Sequence, residues 1–136
     1  MKVKRLIIHT DGASRGNPGP AAIGAVIRDG SGRVMASISR YIGETTNNQA
    51  EYRAIVAALE EAIRLGAREV EINSDSELAV KQIRGQYRVK KPALKPLHQR
   101  VRVLLGALDG FSIAVIPREQ NREADALANR AFRTPT

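Results

Sequence analysis

The feature that most constrains the fold is an apolar stretch that turns acidic and glycine-rich, residues 3–20, VKRLIIHTDGASRGNPGP. Leu6, Ile7 and Ile8 form the apolar run, which ends on Asp11, and a loop with three glycines and two prolines follows. A strand so rich in branched apolar residues belongs near the middle of a sheet. The end of such a strand is a frequent place for a site in α/β proteins. Asp11 is therefore a candidate site residue, although an Asp-Gly pair also favours a plain turn.

The length and the cysteine count narrow the class of protein. A chain of 136 residues predicts one domain, 1–136, that buries a core without a disulfide or structural metal. It has no cysteine, which excludes disulfides, thiol catalysis and zinc–thiolate sites. Apolar runs are too short for a signal peptide or a membrane span. We therefore expect a cytoplasmic protein that engages no membrane.

The basic residues are unevenly distributed along the chain. Lys and Arg number 22 against 14 Asp and Glu, a net charge of +8. Residues 78–108, the basic segment, contain no acid and eight basic residues: Lys81, Arg84, Arg88, Lys90, Lys91, Lys95, Arg100 and Arg102. A localised basic patch is typical of proteins that bind a polyanion. The alternative is a solvated basic face that serves solubility alone.

The rest of the pattern predicts an α/β fold. After the first strand, strands are predicted at 21–28, 33–42, 68–75 and 111–116, and helices at 48–65, 76–84, 97–108 and 121–132. The DGSG turn at 29–32 predicts a hairpin, so the first three strands form an antiparallel meander. Gly66 stops the first helix, and Asn121 is expected to cap the last one.

Four acidic residues stand out against this layout. Asp11 and Asp75 end predicted strands, whereas Glu51 and Asp125 lie on the inward faces of predicted helices. If the four converge, they do not all stay ionised without compensation, because like charges raise one another's pKa. Divalent cations such as Mg²⁺ supply that compensation through oxygen ligands, and Mn²⁺ is the expected substitute. A pair of ions would act on one phosphodiester whose backbone the basic segment grips.

The sequence resembles the type 1 ribonuclease H family over nearly its whole length. The resemblance is carried by TDGASRGNPGPAAIGAVI, TTNNQAEYRAIVAAL, INSDSELAVKQI and REQNREADALANRA, in that order and spacing. It implies a five-stranded mixed sheet, its first three strands antiparallel, flanked by helices. It also implies endonucleolytic cleavage of the RNA strand of an RNA/DNA hybrid, leaving a 3′-hydroxyl and a 5′-phosphate.

The resemblance further implies roles for individual residues. Asp11 would bridge two metal ions, Asp125 would share the ion on the nucleophile side, and Glu51 and Asp75 would hold the ion on the leaving-group side. The implied substrate contacts, in the minor groove or on a phosphate of the DNA strand, are Asn17, Thr46, Asn47, Asn48 and Glu77. Reading 2′-hydroxyls in the minor groove is what distinguishing RNA from DNA requires. Asn17 beside Pro18 also fits a plain turn former.

The sequence departs from the family in two places. Many members carry a histidine in the loop before the last acid, and here that loop reads Pro117-Arg118-Glu119-Gln120. Our hypothesis is that Arg118 replaces this histidine and acts through its positive charge, not as a proton shuttle. The basic segment also resembles that of short members without a protruding handle, and Tyr87 is its one aromatic residue. We therefore expect weaker, strongly salt-dependent binding. The likeness to these short members leaves action on double-stranded RNA open, and a monomer is the default expectation.

Two other functions compete with the nuclease. A nucleic-acid-binding module of the same fold without catalysis would gain nothing from four acids. An actin-like kinase also begins with a strand, Asp-Gly and a glycine-rich turn, but it needs a second domain to enclose a nucleotide. His9 faces the same side of its strand as Asp11, yet oxygen-seeking ions disfavour imidazole, so we interpret His9 as a packing residue.

Overall fold

The computed structural model describes residues 4–133, so Val3, where the predicted opening stretch begins, lies outside the described residues. The strands are β1 Arg5–Ser14, β2 Gly19–Asp29, β3 Val34–Thr45, β4 Glu69–Ser74 and β5 Gly110–Val115. The α-helices are α1 Asn47–Arg64, α2 Glu77–Ile83, α3 Lys95–Gly106 and α4 Arg122–Arg133, and a single 3₁₀ turn, Arg118–Gln120, precedes α4. None of the helices between residues 4 and 133 is both long and apolar enough to cross a membrane.

The five strands form one mixed sheet in the order β3-β2-β1-β4-β5. Strands β1, β2 and β3 pair antiparallel, whereas β4 runs parallel to β1 and β5 parallel to β4. The predicted fold class is therefore confirmed, and β1 is the central strand, between β2 and β4. Its Leu6 and Ile8 are fully buried.

Strand β1 continues three residues beyond Asp11, where the sequence predicted its end. Its parallel pairing with β4 stops at Thr10 opposite Ser74, but its antiparallel pairing with β2 continues to Ser14 opposite Ala21. Asp11 therefore lies inside a strand, at the point where the neighbour on one side ends. The glycine-rich loop shrinks accordingly to residues 15–18.

The other elements begin or end one to three residues away from the predicted positions. Residues 43–45, expected in a polar connection, belong to β3, whose register shifts near Ala21 and Ala22. Helix α3 begins at Lys95, two residues early, because Pro96 is tolerated in the first turn of a helix. The expected cap of α4 by Asn121 was wrong: among the described residues its Oδ1 has no hydrogen-bond partner, and its side-chain Nδ2 donates to the Thr10 carbonyl, 2.8 Å away.

The helices cover both faces of the sheet, and two glycines set how closely. A Cβ on Gly12 would lie 2.2 Å from the carbonyl carbon of Ala50 in α1. A Cβ on Gly24 would lie 2.1 Å from the Ala124 oxygen in α4. Helix α1 thus packs on the β1 backbone and helix α4 on the β2 backbone, each at a distance that only glycine permits.

The Gly24 contact predicts a destabilising substitution. In Gly24→Ala the methyl group would overlap the backbone of α4, so we expect the free energy of unfolding to fall by about 1–3 kcal/mol or more. Urea unfolding followed by circular dichroism measures the change. Gly106→Ala is the matched control, because a Cβ there meets nothing within 4 Å. A Gly24→Ala protein as stable as the control would contradict this account of the packing.

Candidate active site

The four predicted acids come from four elements and meet at one cavity. Asp11 lies in β1, Glu51 in the first turns of α1, Asp75 directly after β4 and Asp125 in the first turn of α4. The cavity has a volume of about 430 Å³. Its lining residues are Asp11, Gly12, Ala13, Asn47, Glu51, Asp75, Ile116, Pro117, Arg118 and Asp125.

Three of the acids are close enough to share an ion. One carboxylate oxygen from each of Asp11, Glu51 and Asp75 lies within 4.8 Å of the other two. Glu51 is only 6% exposed, and its Oε1 accepts a hydrogen bond of 2.9 Å from the Gly12 amide. The bare backbone at Gly12 thus brings α1 close enough for Glu51 to reach the Asp11 side of the site.

Helix α4 brings the fourth acid to this cluster. Asn121, immediately before α4, is 1% exposed and donates its hydrogen bond to the carbonyl of Thr10, the neighbour of Asp11. The start of α4 is thereby joined to β1, and the Asp125 amide donates to the Asn121 carbonyl at 3.1 Å. Sequence reasoning missed this link, because an Asn before a helix is typical of an N-cap.

Burial and mutual repulsion change the acidity of the cluster. Burial raises the pKa of Asp11 to about 8, and the Asp75 charge and the hydrogen bond and charge of Asp125 act in the same direction. The pKa of Glu51 is also raised well above its usual value, first by burial and then by the charges of Asp11 and Asp75. Such a set of oxygen donors, short of compensating charge, fits a hard divalent ion such as Mg²⁺.

Arg118 is a positive group that faces the acids. It lies in the 3₁₀ turn between β5 and α4 and lines the same cavity. Its charge opposes the rise in the pKa of both Asp11 and Glu51. The backbone amide of Ile116, two residues before this turn, donates to the carbonyl of Ser74 at 2.9 Å. Ser74 directly precedes Asp75, so this bond holds the turn beside the acids.

Four of the five predicted substrate contacts cluster at the start of α1. The backbone amide of Asn47 donates to the side-chain Oδ1 of Asn17 at 3.0 Å, which ties the loop between β1 and β2 to the helix. Thr46 caps α1 by accepting from the Gln49 amide. Asn47 lines the acidic cavity, and a neighbouring cavity of about 220 Å³ contains the other three; its lining residues are Asn17, Thr46, Asn48, Gln49, Lys91, Ala93 and Leu94.

Lys91 is a cation that sequence reasoning counted in the basic segment but did not assign to a site. It lies in the irregular connection between α2 and α3, residues 84–94, which we call the basic loop. The loop curls back to the start of α1, so Lys91 joins Asn17, Thr46 and Asn48 around one cavity. The spacing along the chain gave no signal of this contact.

The fifth predicted contact and His9 lie outside this cluster. Glu77, in the first turn of α2, forms an ion pair of 2.7 Å with Lys81, which lowers the pKa of Glu77. His9 lines a separate cavity of about 120 Å³ with the residues that begin α4. Burial and the nearby Arg28 charge lower the pKa of His9, which favours the neutral, packed ring.

Comparison with known proteins places this geometry in a family. The family profile described as reverse transcriptase-like matches residues 9–131. LC11-RNase H1, solved in complex with an RNA/DNA hybrid, is 45% identical with a TM-score of 0.89, covering 94% of this chain and 96% of that one. The chain belongs to the type 1 ribonuclease H family.

Two relatives are longer proteins, of which this chain matches only a part. Ribonuclease HI of Halobacterium salinarum is 47% identical over 94% of this chain, and the match spans 64% of that protein. The bifunctional protein Rv2228c of Mycobacterium tuberculosis is 41% identical over 94% of this chain, and the match spans 35% of it. The chain therefore corresponds to one part of these relatives.

The raised pKa of Asp11 predicts a dependence of stability on pH. Without divalent ions, folded Asp11 keeps its proton up to a pH of about 8, whereas the unfolded chain releases it near about 4. Its stabilising contribution is fully present below the unfolded pKa and is lost as the pH rises through the folded pKa. We therefore expect Asp11→Asn to gain stability relative to the wild type as the pH rises across this window.

Urea unfolding in EDTA, at a pH of about 5 near the lower end of that window and of about 8.5 above it, measures the difference between the two proteins. The comparison cancels the exposed acids, which titrate alike in both. Added Mg²⁺ is expected to raise the Tm of the wild type at the higher pH more than that of Asp11→Asn. A difference in stability that is constant with pH would contradict the prediction.

Proposed function

We propose that this chain is a metal-dependent endonuclease that hydrolyses the RNA strand of RNA/DNA hybrids. The observation that carries the proposal is the convergence of Asp11, Glu51, Asp75 and Asp125 on one cavity, with Lys91 of the basic loop lining the neighbouring cavity. A module that only bound a polyanion would be hindered by four acids at its centre. The hybrid bound in the LC11-RNase H1 structure supports the substrate class.

The residues present suit a two-metal-ion reaction. Divalent ions bound by the acids would activate a water and stabilise the leaving oxygen, and Mg²⁺ is the expected ion, with Mn²⁺ as substitute. Glu51, fixed by the Gly12 amide, and Asp75, fixed after β4, would hold the leaving-group side. Asp125 would hold the ion on the nucleophile side, and Asp11 would be a ligand shared by both ions.

The proposed hydrolysis determines the products. The water oxygen forms a bond to phosphorus on the side opposite the 3′ oxygen of the RNA, and the bond from phosphorus to that oxygen breaks. The 3′ oxygen takes up a proton and leaves as a hydroxyl, while the phosphate stays on the 5′ end of the downstream fragment. The proton lost by the water passes to bulk solvent through the open side of the cavity.

Substrate selection is proposed to take place at the start of α1. Asn17, Asn47 and Asn48 offer amide groups beside the acids, where 2′-hydroxyls and base edges of a minor groove are within reach. Thr46 and Lys91 share one cavity and suit a phosphate of the DNA strand. Because the basic loop carries one aromatic residue, Tyr87, we propose that it binds the nucleic acid mainly through ionic contacts. We also extend the proposal to double-stranded RNA as a substrate and to a monomeric enzyme.

The first test is cleavage of an end-labelled RNA/DNA hybrid with Mg²⁺, with Mn²⁺ and with chelator. We expect internal cuts in the RNA strand only, with 3′-hydroxyl and 5′-phosphate ends, and no cuts with chelator. Asp11→Asn is expected to lower the rate by about 10²-fold or more, since it removes a charge from the reacting centre. Tight hybrid binding without cutting in either metal would favour the binding module instead.

Arg118 gives a second prediction. Its charge faces Asp11 and Glu51, so Arg118→Ala is expected to lower turnover about tenfold with little change in KM, a loss of about 1.4 kcal/mol in transition-state stabilisation. Arg118→Lys keeps the charge and should retain most of the activity, as an electrostatic role requires. Arg122→Ala, an exposed arginine at the start of α4, is the matched control. Unchanged turnover in Arg118→Ala would refute the assignment.

A further inference from the structure

A buried glutamine outside the acidic cavity connects four parts of the molecule. Gln82, in α2, is 5% exposed. Its Oε1 accepts from the Tyr52 hydroxyl at 2.7 Å, and its Nε2 donates to the Arg88 carbonyl at 3.3 Å. Its own carbonyl lies 3.2 Å from His98 Nε2 in α3. Gln82 therefore links α1, α2, α3 and the basic loop.

The link to Arg88 is the main polar anchor of the basic loop. Residues 85–87 are tied back to α2 through amides that donate to the Lys81 and Gln82 carbonyls. Among the hydrogen bonds within residues 4–133, only the one from Gln82 reaches residues 88–90. Apolar contact adds to it, since Val89 packs on the core, but packing alone fixes direction poorly. The backbone of the loop is therefore positioned at Arg88 by one side chain.

The Tyr52 hydroxyl holds the Gln82 amide in place by donating to its Oε1. The Tyr52 ring is fully buried and meets His98 edge-on, so the hydroxyl has a fixed position. With the amide oxygen turned toward that hydroxyl, the amide nitrogen must face the Arg88 carbonyl. A reversed amide would set two oxygens against each other. Tyr52 directly follows Glu51 in α1, so the same helix that carries an acid of the site also holds the anchor of the basic loop.

The loop carries cations whose position depends on this anchor. Lys90 and Lys91 follow Arg88, and all three line a cavity of about 480 Å³ together with Gln82 and Tyr87. Lys91 also lines the cavity that contains Thr46 and Asn48. A shift of the backbone at Arg88 would therefore move Lys90 and Lys91 relative to the proposed phosphate contacts near the start of α1.

We propose that Gln82 is a positioning residue for binding of the hybrid: by fixing the backbone of the basic loop, it places Lys90 and Lys91 against the nucleic acid. The inference rests on the proposed function. It predicts that loss of the anchor weakens binding and leaves the chemical step alone, because no atom of Gln82 lines the acidic cavity.

The test compares Gln82→Met and Gln82→Glu with the wild type. Both side chains fill a similar space; Met has no hydrogen-bond donor for the Arg88 carbonyl, and Glu has none when it is ionised. Binding of a fluorescein-labelled hybrid in EDTA, where no cutting occurs, is expected to weaken about three- to tenfold. The slope of log Kd against log salt concentration should fall by about 1 for each lysine that loses its contact. With Mg²⁺, KM should rise while kcat at saturating hybrid stays near the wild-type value.

Two further comparisons separate positioning from a general loss of structure. In a Lys90→Ala/Lys91→Ala background, Gln82→Met should weaken binding no further, because the two changes act through the same contacts. Gln99→Met, on an exposed part of α3, is the control for the substitution itself. The Tm of every variant is measured by circular dichroism, so that binding is compared among folded proteins.

Each outcome has a distinct meaning. Folded Gln82 variants that bind with wild-type affinity and salt slope would overturn the inference and leave the nuclease intact. An effect of Gln82→Met that persists in the double-lysine background would also overturn it, since the residue would then act elsewhere. A wild-type protein that neither binds nor cuts the hybrid would instead overturn the proposed function.

Discussion

The close approach of two helices to the sheet is the constraint on which the site depends. At Gly12 and Gly24 the helix backbones come so near the strands that a single methyl group would overlap them. The approach at Gly12 lets Glu51 reach the amide beside Asp11, and the approach at Gly24 brings α4 and Asp125 to the same cavity. These close helix–strand contacts hold the acids together although their negative charges repel one another.

That repulsion explains why the cluster is suited to metal ions. Burial and the neighbouring charges raise the pKa values of Asp11 and Glu51, so a positive partner is needed to favour their ionised forms. Arg118 offers partial compensation from the edge of the cavity. The stability of the folded core offsets the cost of burying the cluster, which divalent ions would then relieve on binding.

The fold keeps the acidic cluster apart from the basic loop. The acids lie where β1, β4 and the first turns of α1 and α4 converge, whereas the basic loop projects between α2 and α3. The two meet only near the start of α1, where Lys91 shares a cavity with Asn17, Thr46 and Asn48. A phosphate backbone could therefore be gripped by cations without those cations neutralising the acids.

The sequence alone determined the order and type of the elements, the four acids and the excess of basic charge, because hydrophobic period and residue type are local properties. It misjudged the end of β1 and the role of Asn121, because both depend on neighbours distant in the chain: β4 stops at Thr10, and Asn121 bonds 111 residues away. Only the tertiary structure decided that Lys91 meets Thr46 and that Gln82 anchors the basic loop, since side-chain contacts between separate segments leave no periodic trace in the sequence.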